Sequence, residues 1–165
     1  MRLRRLFRHL VLPGWWLLRA FPKSSLKAIE QATAASEHRH MGEVRFVVEA
    51  NLPLHGLLHG QSARARAIEL FAQLHLWDTE HNSGVLVYVQ LLDRRVEIVA
   101  DRGIACRVEE VFWRGVCRRL EAAFRQGAYE AGALTALTEI TAILAEHFPA
   151  TADNPDELAN TPVVL

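Results

Sequence analysis

Hydrophobic residues recur along this chain at two kinds of spacing, which predict four helices and three strands. Spacings of three and four residues predict helices over about 24–38, 62–76, 107–126 and 130–147. Runs of β-branched and aromatic residues predict strands over 43–49, 85–92 and 96–100. The run 85–92 is almost continuously apolar, which is typical of a central strand buried on both faces.

Each predicted helix has a stripe of apolar residues that we expect to face the core. Ser24 or Ser25 is expected to cap the first helix and Ser62 the second, while Gly127 is placed to end the third. The predicted inward residues are Leu26, Ile29 and Ala32; Ile68, Phe71 and Leu74; Val108, Val111, Phe112, Val116, Leu120, Ala123 and Phe124; and Leu137, Ile140 and Leu144.

The order of these elements predicts the fold. A helix connects the first two strands, so they should run parallel with a right-handed crossover, whereas a hairpin at Asp93-Arg94 makes the third strand antiparallel. Helices then cover both faces of a mixed sheet. The sequence therefore predicts a single α/β domain, a three-layer α/β/α sandwich, over residues 24–148. An arm over 1–23 precedes it and a loose tail over 149–165 follows it.

The N-terminal arm has a charge and composition of its own. The whole chain has no net charge and 23% charged residues, which argues against disorder and against a nucleic-acid partner. The arm, however, is basic and rich in Trp and Leu, a combination suited to a membrane interface. Its candidate residues for membrane or partner contact are Arg4, Arg5, Arg8, Trp15 and Trp16. The alternative is that Trp15, Trp16 and Phe21 cover the domain's own core.

The arm and the cysteines both favour a cytoplasmic protein, peripheral at the inner membrane, over an exported one. The apolar stretch of the arm is short, is interrupted by Pro13-Gly14 and lacks a small-x-small cleavage site. Cys106 and Cys117 would lie about 16 Å apart along one helix, too far for a disulfide. Two free thiols are expected in a reducing compartment.

The predicted topology gathers polar residues at one edge of the sheet, where the first two strands begin and the third ends. Oxygen and imidazole groups from three segments are the ligands that a divalent cation requires, with Ca²⁺ favoured and Mg²⁺ or Zn²⁺ as alternatives. These residues also suit turns and helix ends, so a purely structural role stays open. The candidate ligands are Glu43, Asp78, Glu80, His81, Asn82 and Asp101, with Glu37, His38 and His40 as weaker candidates.

Several segments carry a resemblance to a known family. Residues 82–104 read Asn-Ser-Gly-Val-Leu-Val-Tyr-Val-Gln-Leu-Leu-Asp-Arg-Arg-Val-Glu-Ile-Val-Ala-Asp-Arg-Gly-Ile, and residues 124–132 read Phe-Arg-Gln-Gly-Ala-Tyr-Glu-Ala-Gly. With Gly42-Glu43 and the helix 107–126, they make about 24–148 resemble the TPM domain family. That family includes thylakoid lumenal proteins linked to photosystem II repair and many bacterial envelope-associated proteins.

The resemblance implies an α/β/α sandwich whose acidic rim binds a cation, at the same edge that the topology produces. It implies an accessory role beside membrane complexes, with a LemA-type membrane protein as the bacterial partner, or acid phosphatase activity as in some plant members. The family's Asp-Asn-Gly before the central strand is Asn82-Ser83-Gly84 here, so one expected carboxylate is missing. His81 and Glu80 are candidate replacements.

The sequence therefore predicts a TPM-domain module, a cation-binding accessory or interaction protein that acts with a membrane-associated partner. Two alternatives stay open: a metal-assisted phosphatase, and a purely structural interaction domain without a ligand. No nucleophile motif such as Gly-x-Ser-x-Gly and no Walker-type loop occurs. Phosphatase is thus the only enzyme class with support, and we lean against an enzyme.

Overall fold

A computed structural model describes Arg5, Phe7, His9, residues 15–151 and residues 158–165. Helices and strands alternate along this part of the chain as predicted, with three additional short helices and one additional strand. In chain order the elements are α1 Trp15–Ala20, α2 Lys23–Glu37, β1 Val44–Glu49, α3 Leu54–Leu58, α4 Ala63–Gln73, β2 Val85–Gln90, β3 Arg95–Ala100, α5 Arg102–Ala105, α6 Glu110–Arg125, α7 Tyr129–His147 and β4 Val163–Val164. Among these described elements, no helix is both long and apolar enough to cross a bilayer.

The sheet is mixed, with the strand order β3-β2-β1-β4. Strands β1 and β2 are parallel, with Val44 beside Val85 and Glu49 beside Gln90, while β2 and β3 form the predicted antiparallel hairpin. Every residue of β2 is buried. The α/β class, the mixed sheet and the single domain are confirmed.

Helices cover both faces of the sheet because its side chains alternate between two apolar clusters. Val87 and Val89 of β2 face a large core formed with α1, α2, α6 and α7. Leu86 and Tyr88 face a smaller core formed with α4. The molecule therefore has three layers, as predicted.

Two predicted inward residues, Ile68 and Val111, are exposed instead. In α4 the buried face includes Arg66, which a hydrophobic pattern assigns to solvent. Helix α6 begins only at Glu110, after the separate helix α5, and Val111 in its first turn lies on the exposed side. Its buried positions are Trp113, Val116 and Leu120. In each helix a residue outside the predicted stripe is buried: Arg66 in α4, through its ion pair with Glu49, and Trp113 in α6.

The helix ends agree with the sequence in two of the three places. Ser62 precedes α4 and its hydroxyl accepts a hydrogen bond from the backbone N–H of Ala65. Gly127 follows α6 with a φ of +78°, a left-handed conformation that glycine adopts without steric cost. The serine cap of α2 was wrong, because that helix begins at Lys23 and the hydroxyl of Ser25 donates to Glu130.

The loose C-terminal tail was also a wrong prediction for the last residues. Val163 and Val164 pair in parallel with Val47 and Val48 as β4. The backbone N–H of Leu165 donates to Val48, and Leu165 in turn accepts from Ala50. These hydrogen bonds cover the outer edge of β1, which would otherwise expose unpaired N–H and C=O groups.

A buried ion pair crosses the smaller core. The Nη2 atom of Arg66 lies 2.8 Å from Oε1 of Glu49, and the hydroxyl of Tyr88 donates to Oε2 of Glu49 at 2.5 Å. Arg66 also reaches Glu69 at the surface, 3.0 Å away. Burial and the neighbouring Glu49 carboxylate together raise the pKa of Tyr88 far above its usual value, so Tyr88 stays a hydrogen-bond donor.

We predict that Arg66→Leu lowers the free energy of unfolding by about 3–5 kcal/mol, because it leaves the Glu49 carboxylate buried without its cation. The double variant Glu49→Leu/Arg66→Leu should recover much of that loss. Urea denaturation followed by circular dichroism measures both values. Arg118→Leu, an exposed change on α6, should stay within about 0.5 kcal/mol of the parent. A loss no larger than that for Arg66→Leu would contradict the prediction.

Candidate functional site

The sheet edge that the sequence assigns to a cation is formed as the topology requires. The register aligns Val44 at the start of β1, Val85 at the start of β2 and Ala100 at the end of β3. The backbone N–H of Asp101 donates to Gly84, and Ser83 reaches the carbonyl of Met41 through its hydroxyl. Three separate segments therefore converge at this edge, which we call the amino-end rim.

The carboxyl and imidazole groups of the rim do not converge to the same degree. Asp78 and Glu80 are exposed, and His38 is exposed at the end of α2. His81 stacks near the ring of Phe148, with 6.4 Å between the ring centroids. Glu37 accepts a hydrogen bond from the side chain of Asn160, close to the C-terminal strand.

Two rim residues are buried. Glu43 lies directly before β1, and its backbone carbonyl accepts from Val85. His40 is fully buried beside the bridge that its backbone forms with Pro149. Burial lowers the pKa of His40 to about 4, so its imidazole is neutral at physiological pH.

Polar contacts of the rim join Asn82 to the start of α5. Asp101 caps α5 through Oδ1, which accepts from the backbone N–H of Arg102. The guanidinium of Arg102 donates to Oδ1 of Asn82 at 3.0 Å. A Cβ at Gly103 would come within 2.3 Å of the carbonyl oxygen of His81, so this close packing requires glycine.

We tested whether the rim residues fit a cation. Within the described ranges, no group of three or more His, Cys, Asp or Glu side chains could hold a metal ion. The amide oxygen of Asn82 is engaged by Arg102, and one oxygen of Asp101 caps α5. In this arrangement the predicted carboxyl and imidazole ligands are not gathered around one point, and cation binding stays a prediction.

The two cysteines are free thiols, as predicted. Cys106 is exposed after α5, whereas Cys117 is half-buried on α6. Burial, with a smaller contribution from Glu97, raises the pKa of Cys117 to about 12. This thiol is therefore protonated at neutral pH and is not an activated nucleophile.

A pocket of about 260 Å³ lies at the opposite ends of the strands, near the carboxyl end of β2. The end of β2, the β2–β3 turn, the end of α6 and the start of α7 surround it, and Trp16 of the arm closes one side. Carboxyl ends of parallel strands are a common place for ligands in α/β folds. Its lining includes Trp16, Gln90, Arg94, Arg95, Glu121, Phe124, Arg125 and Tyr129.

The arm docks beside this pocket through the carboxylate of Asp93. Arg5 lies 2.6 Å from Oδ2 of Asp93, and Nε2 of the buried His9 lies 3.1 Å from Oδ1. The Nδ1 atom of His9 accepts from the backbone N–H of Leu52, so Nε2 carries the proton that Asp93 accepts. Farther along the arm, Leu17 and Phe21 are buried in the larger core.

The predicted contact residues of the arm have different surroundings. Arg5 is paired with Asp93, while Trp16 lines the pocket and is 41% exposed. Arg4, Arg8 and the side chain of Trp15 lie outside the described residues. The arm packs on the domain through the residues described, while part of its surface stays open to solvent.

Sequence reasoning missed both the pocket and the Asp93 anchor. A signal for the first was available, because Gln90 is a polar residue near the end of the predicted central strand, and it lines the pocket. The segment 124–132 was noted only for its family resemblance, yet Phe124, Arg125 and Tyr129 line the pocket. Nothing local marks Asp93 as an anchor, because it occupies an ordinary turn.

Comparisons with known proteins agree with this fold. The model of the TPM domain family matches residues 19–143. The chain is also similar to the BA42 protein from the psychrophilic bacterium Bizionia argentinensis, whose structure was determined by NMR, with 29% identity and a TM-score of 0.75. That alignment covers 86% of this chain and 93% of BA42. We find no curated protein whose sequence matches this chain.

The Asp93 anchor should depend on pH. Burial opposes ionisation of Asp93, but the hydrogen bonds from His9 and Arg5 dominate and hold its pKa well below the usual range. A carboxyl group with a lowered folded pKa stabilises above its unfolded pKa of about 4, and the contribution is lost as pH falls below that value.

We therefore predict that Asp93→Asn lowers the melting temperature at pH 7 and that this difference shrinks below about pH 4. The expected cost at pH 7 is about 1.5–3 kcal/mol, the range for hydrogen bonds to a charged group. Thermal unfolding of both proteins between pH 2.5 and 8 measures it, with Asp78→Asn as the exposed control. A difference that is constant across this range would contradict the assignment.

Cation binding at the amino-end rim can be tested by thermal unfolding with EDTA, Ca²⁺, Mg²⁺, Mn²⁺ and Zn²⁺ in turn. A cation at 100 times its dissociation constant would stabilise the fold by about 2.7 kcal/mol, or roughly 8 °C for a chain of this size. If the prediction holds, the shift is saturable and Asp101→Asn abolishes it. A shift that survives in this variant would place the cation elsewhere.

Proposed function

The chain belongs to the TPM domain family, and from that premise we propose that it is a non-catalytic interaction module that binds a membrane-associated protein through its N-terminal arm. One observation carries this proposal. The arm packs onto the domain through buried side chains, while other large apolar side chains of the arm are exposed.

The exposed apolar side chains follow from the geometry of α1. Ala20 and Phe21 follow Leu17 by three and four residues, the spacing of one helix face. All three side chains are buried. Trp16 and Leu18 point away from that face and are 41% and 57% exposed. Earlier in the arm, Phe7 is 67% exposed. We call Phe7, Trp16 and Leu18 the arm surface.

The arm surface has the composition of a binding surface. Exposed apolar groups bordered by charged residues mark interaction sites, and Trp and Arg are enriched among the residues that contribute most to binding. Arg19 is exposed next to Leu18, and Arg94 and Arg125 line the adjacent pocket. A positively charged border also favours a partner at an anionic membrane.

The anchoring of the arm supports binding of a folded partner. Leu17 and Phe21 fix α1 against the core, and Asp93 holds Arg5 and His9. An arm that is already positioned loses less conformational freedom when it binds.

The phosphatase alternative would need several carboxylates around a cation, and the side chains of Asp78 and Glu80 are instead exposed at the amino-end rim.

We predict that Leu18→Ser weakens association with membrane vesicles by about tenfold, since it removes an exposed apolar contact without touching the core. Co-sedimentation with native membrane vesicles from the source cell measures the bound fraction. Val111→Ser is a matched control, because Val111 is 54% exposed on a different helix.

The same measurement separates a protein partner from the lipid surface. Vesicles whose exposed proteins have been digested, and liposomes of the extracted lipids, should bind much less of the protein than native vesicles do. Equal binding to liposomes would overturn the protein partner in favour of lipid. An identical loss for Leu18→Ser and Val111→Ser would show that the arm surface is not the contact.

A further inference from the structure

The pocket at the carboxyl ends of the strands shares Trp16 with the arm surface, but its role does not depend on the proposed function. Its volume of about 260 Å³ lies just below the range of roughly 300–1,000 Å³ that is usual for small-molecule sites. The pocket therefore suits a ligand of fragment size.

Its charged lining residues are mostly basic. Arg94, Arg95 and Arg125 line the pocket with a single carboxylate, that of Glu121. This carboxylate already accepts hydrogen bonds from the backbone N–H of Val96 and from Arg125. Helix α6 ends and α7 begins here, so their end dipoles oppose each other and the arginines set the local charge.

Two of these arginines keep their charge available. In the part of the chain described by the structure, neither Arg94 nor Arg95 forms a salt bridge or a side-chain hydrogen bond. Arg95 interacts electrostatically with Glu97. Burial raises the pKa of Glu97, and the charges of Arg64 and Arg95 act in the opposite direction. Arg94 is exposed in the β2–β3 turn beside the pocket.

The backbone at Arg94 favours a different residue. Its φ is +53°, in the left-handed region where Gly and Asn are preferred and where other residues cost free energy. Arginine therefore occupies this turn position at a cost in free energy that glycine would not incur.

Aromatic rings form a firm wall of the same pocket. Phe124 and Tyr129 lie 5.1 Å apart between ring centroids, and each lies 5.6 Å from the buried ring of Phe21. Trp16 is a further aromatic residue of the lining. Among the described residues, the Tyr129 hydroxyl has no hydrogen-bond partner, so it can donate to a ligand.

We propose that this pocket binds a small organic anion, a phosphate or carboxylate group joined to an aromatic or short alkyl body. The apolar body packs against Trp16, Phe124 and Tyr129. The anionic group meets the guanidinium of Arg94, with Arg125 and the Tyr129 hydroxyl as further donors. Charge-assisted hydrogen bonds to arginine are strong and suit both kinds of anion.

The test is an NMR titration of the full chain with phenylphosphonate, which carries a dianion on an aromatic ring and cannot be hydrolysed. Saturable shifts are expected at Trp16, Phe124 and Tyr129. Benzyl alcohol, the neutral counterpart, should bind about tenfold more weakly because it lacks the charged contact. Equal affinity for the two compounds would overturn the anion site.

Arg94→Gly is the decisive variant, because glycine suits the left-handed turn and the fold should keep or gain stability. It should weaken phenylphosphonate about tenfold, while Arg94→Lys keeps most of the affinity. Arg114→Gln, on the exposed start of α6, should leave binding unchanged. Wild-type affinity in Arg94→Gly would reject the proposal, and an unchanged melting temperature excludes unfolding as the cause of any loss.

A second experiment distinguishes two possible sources of the anionic ligand, a lipid headgroup and a soluble acid. Phosphatidylglycerol vesicles present the anion as a lipid headgroup, whereas phenylphosphonate presents it in solution. If phenylphosphonate displaces the protein from these vesicles, and Arg94→Gly also weakens that binding, the natural source is a lipid. Phenylphosphonate binding without displacement assigns the pocket to a soluble acid. Vesicle binding is measured separately from native membranes, so failure here leaves the protein-partner test intact.

Discussion

The burial of β2 on both faces is the constraint on which the rest of the structure depends. All six of its residues are inaccessible to solvent, and it pairs with β1 on one side and β3 on the other. A strand of this kind requires apolar layers above and below it. Helices α1, α2, α6 and α7 supply one layer and α4 the other.

The two layers solve the burial of polar groups differently. The larger core is aliphatic and aromatic around Phe21, whereas the smaller core contains Glu49, Arg66 and Tyr88. Both carboxylate oxygens of Glu49 have a partner, because Arg66 pairs with Oε1 and the Tyr88 hydroxyl donates to Oε2. A buried pair seldom adds net stability, but it penalises any alternative packing that would separate its members.

Residues that lie far apart in sequence come together at both ends of the parallel strands, but the two ends differ in chemistry. At the amino-end rim, Asn82 and Asp101 support α5, and Glu43 and His40 are buried, so packing uses most of the polar groups. At the carboxyl ends of the strands, Arg94 lines the pocket, and its neighbour Asp93 in the same β2–β3 turn holds Arg5 of the docked arm. The arm therefore connects the exposed apolar surface with the basic pocket.

The sequence by itself determined the elements, because helical and strand periodicities are local. It identified β2 as central from its apolar run, the hairpin from Asp93-Arg94, and the ends of helices at Ser62 and Gly127. From these the parallel crossover and the three layers followed, as did the convergence of three segments at the amino-end rim.

Tertiary structure alone decided which side chains meet across long separations. Asp93 pairs with Arg5, which lies 88 residues away in sequence, and β4 completes the sheet beside β1. In α4, Arg66 is buried through its ion pair with Glu49, while Ile68 is exposed. None of these contacts leaves a periodic signal, because each depends on one charged or terminal group finding a partner brought near by the fold. The pocket arises in the same way, from four elements and one tryptophan whose spacing in sequence carries no pattern.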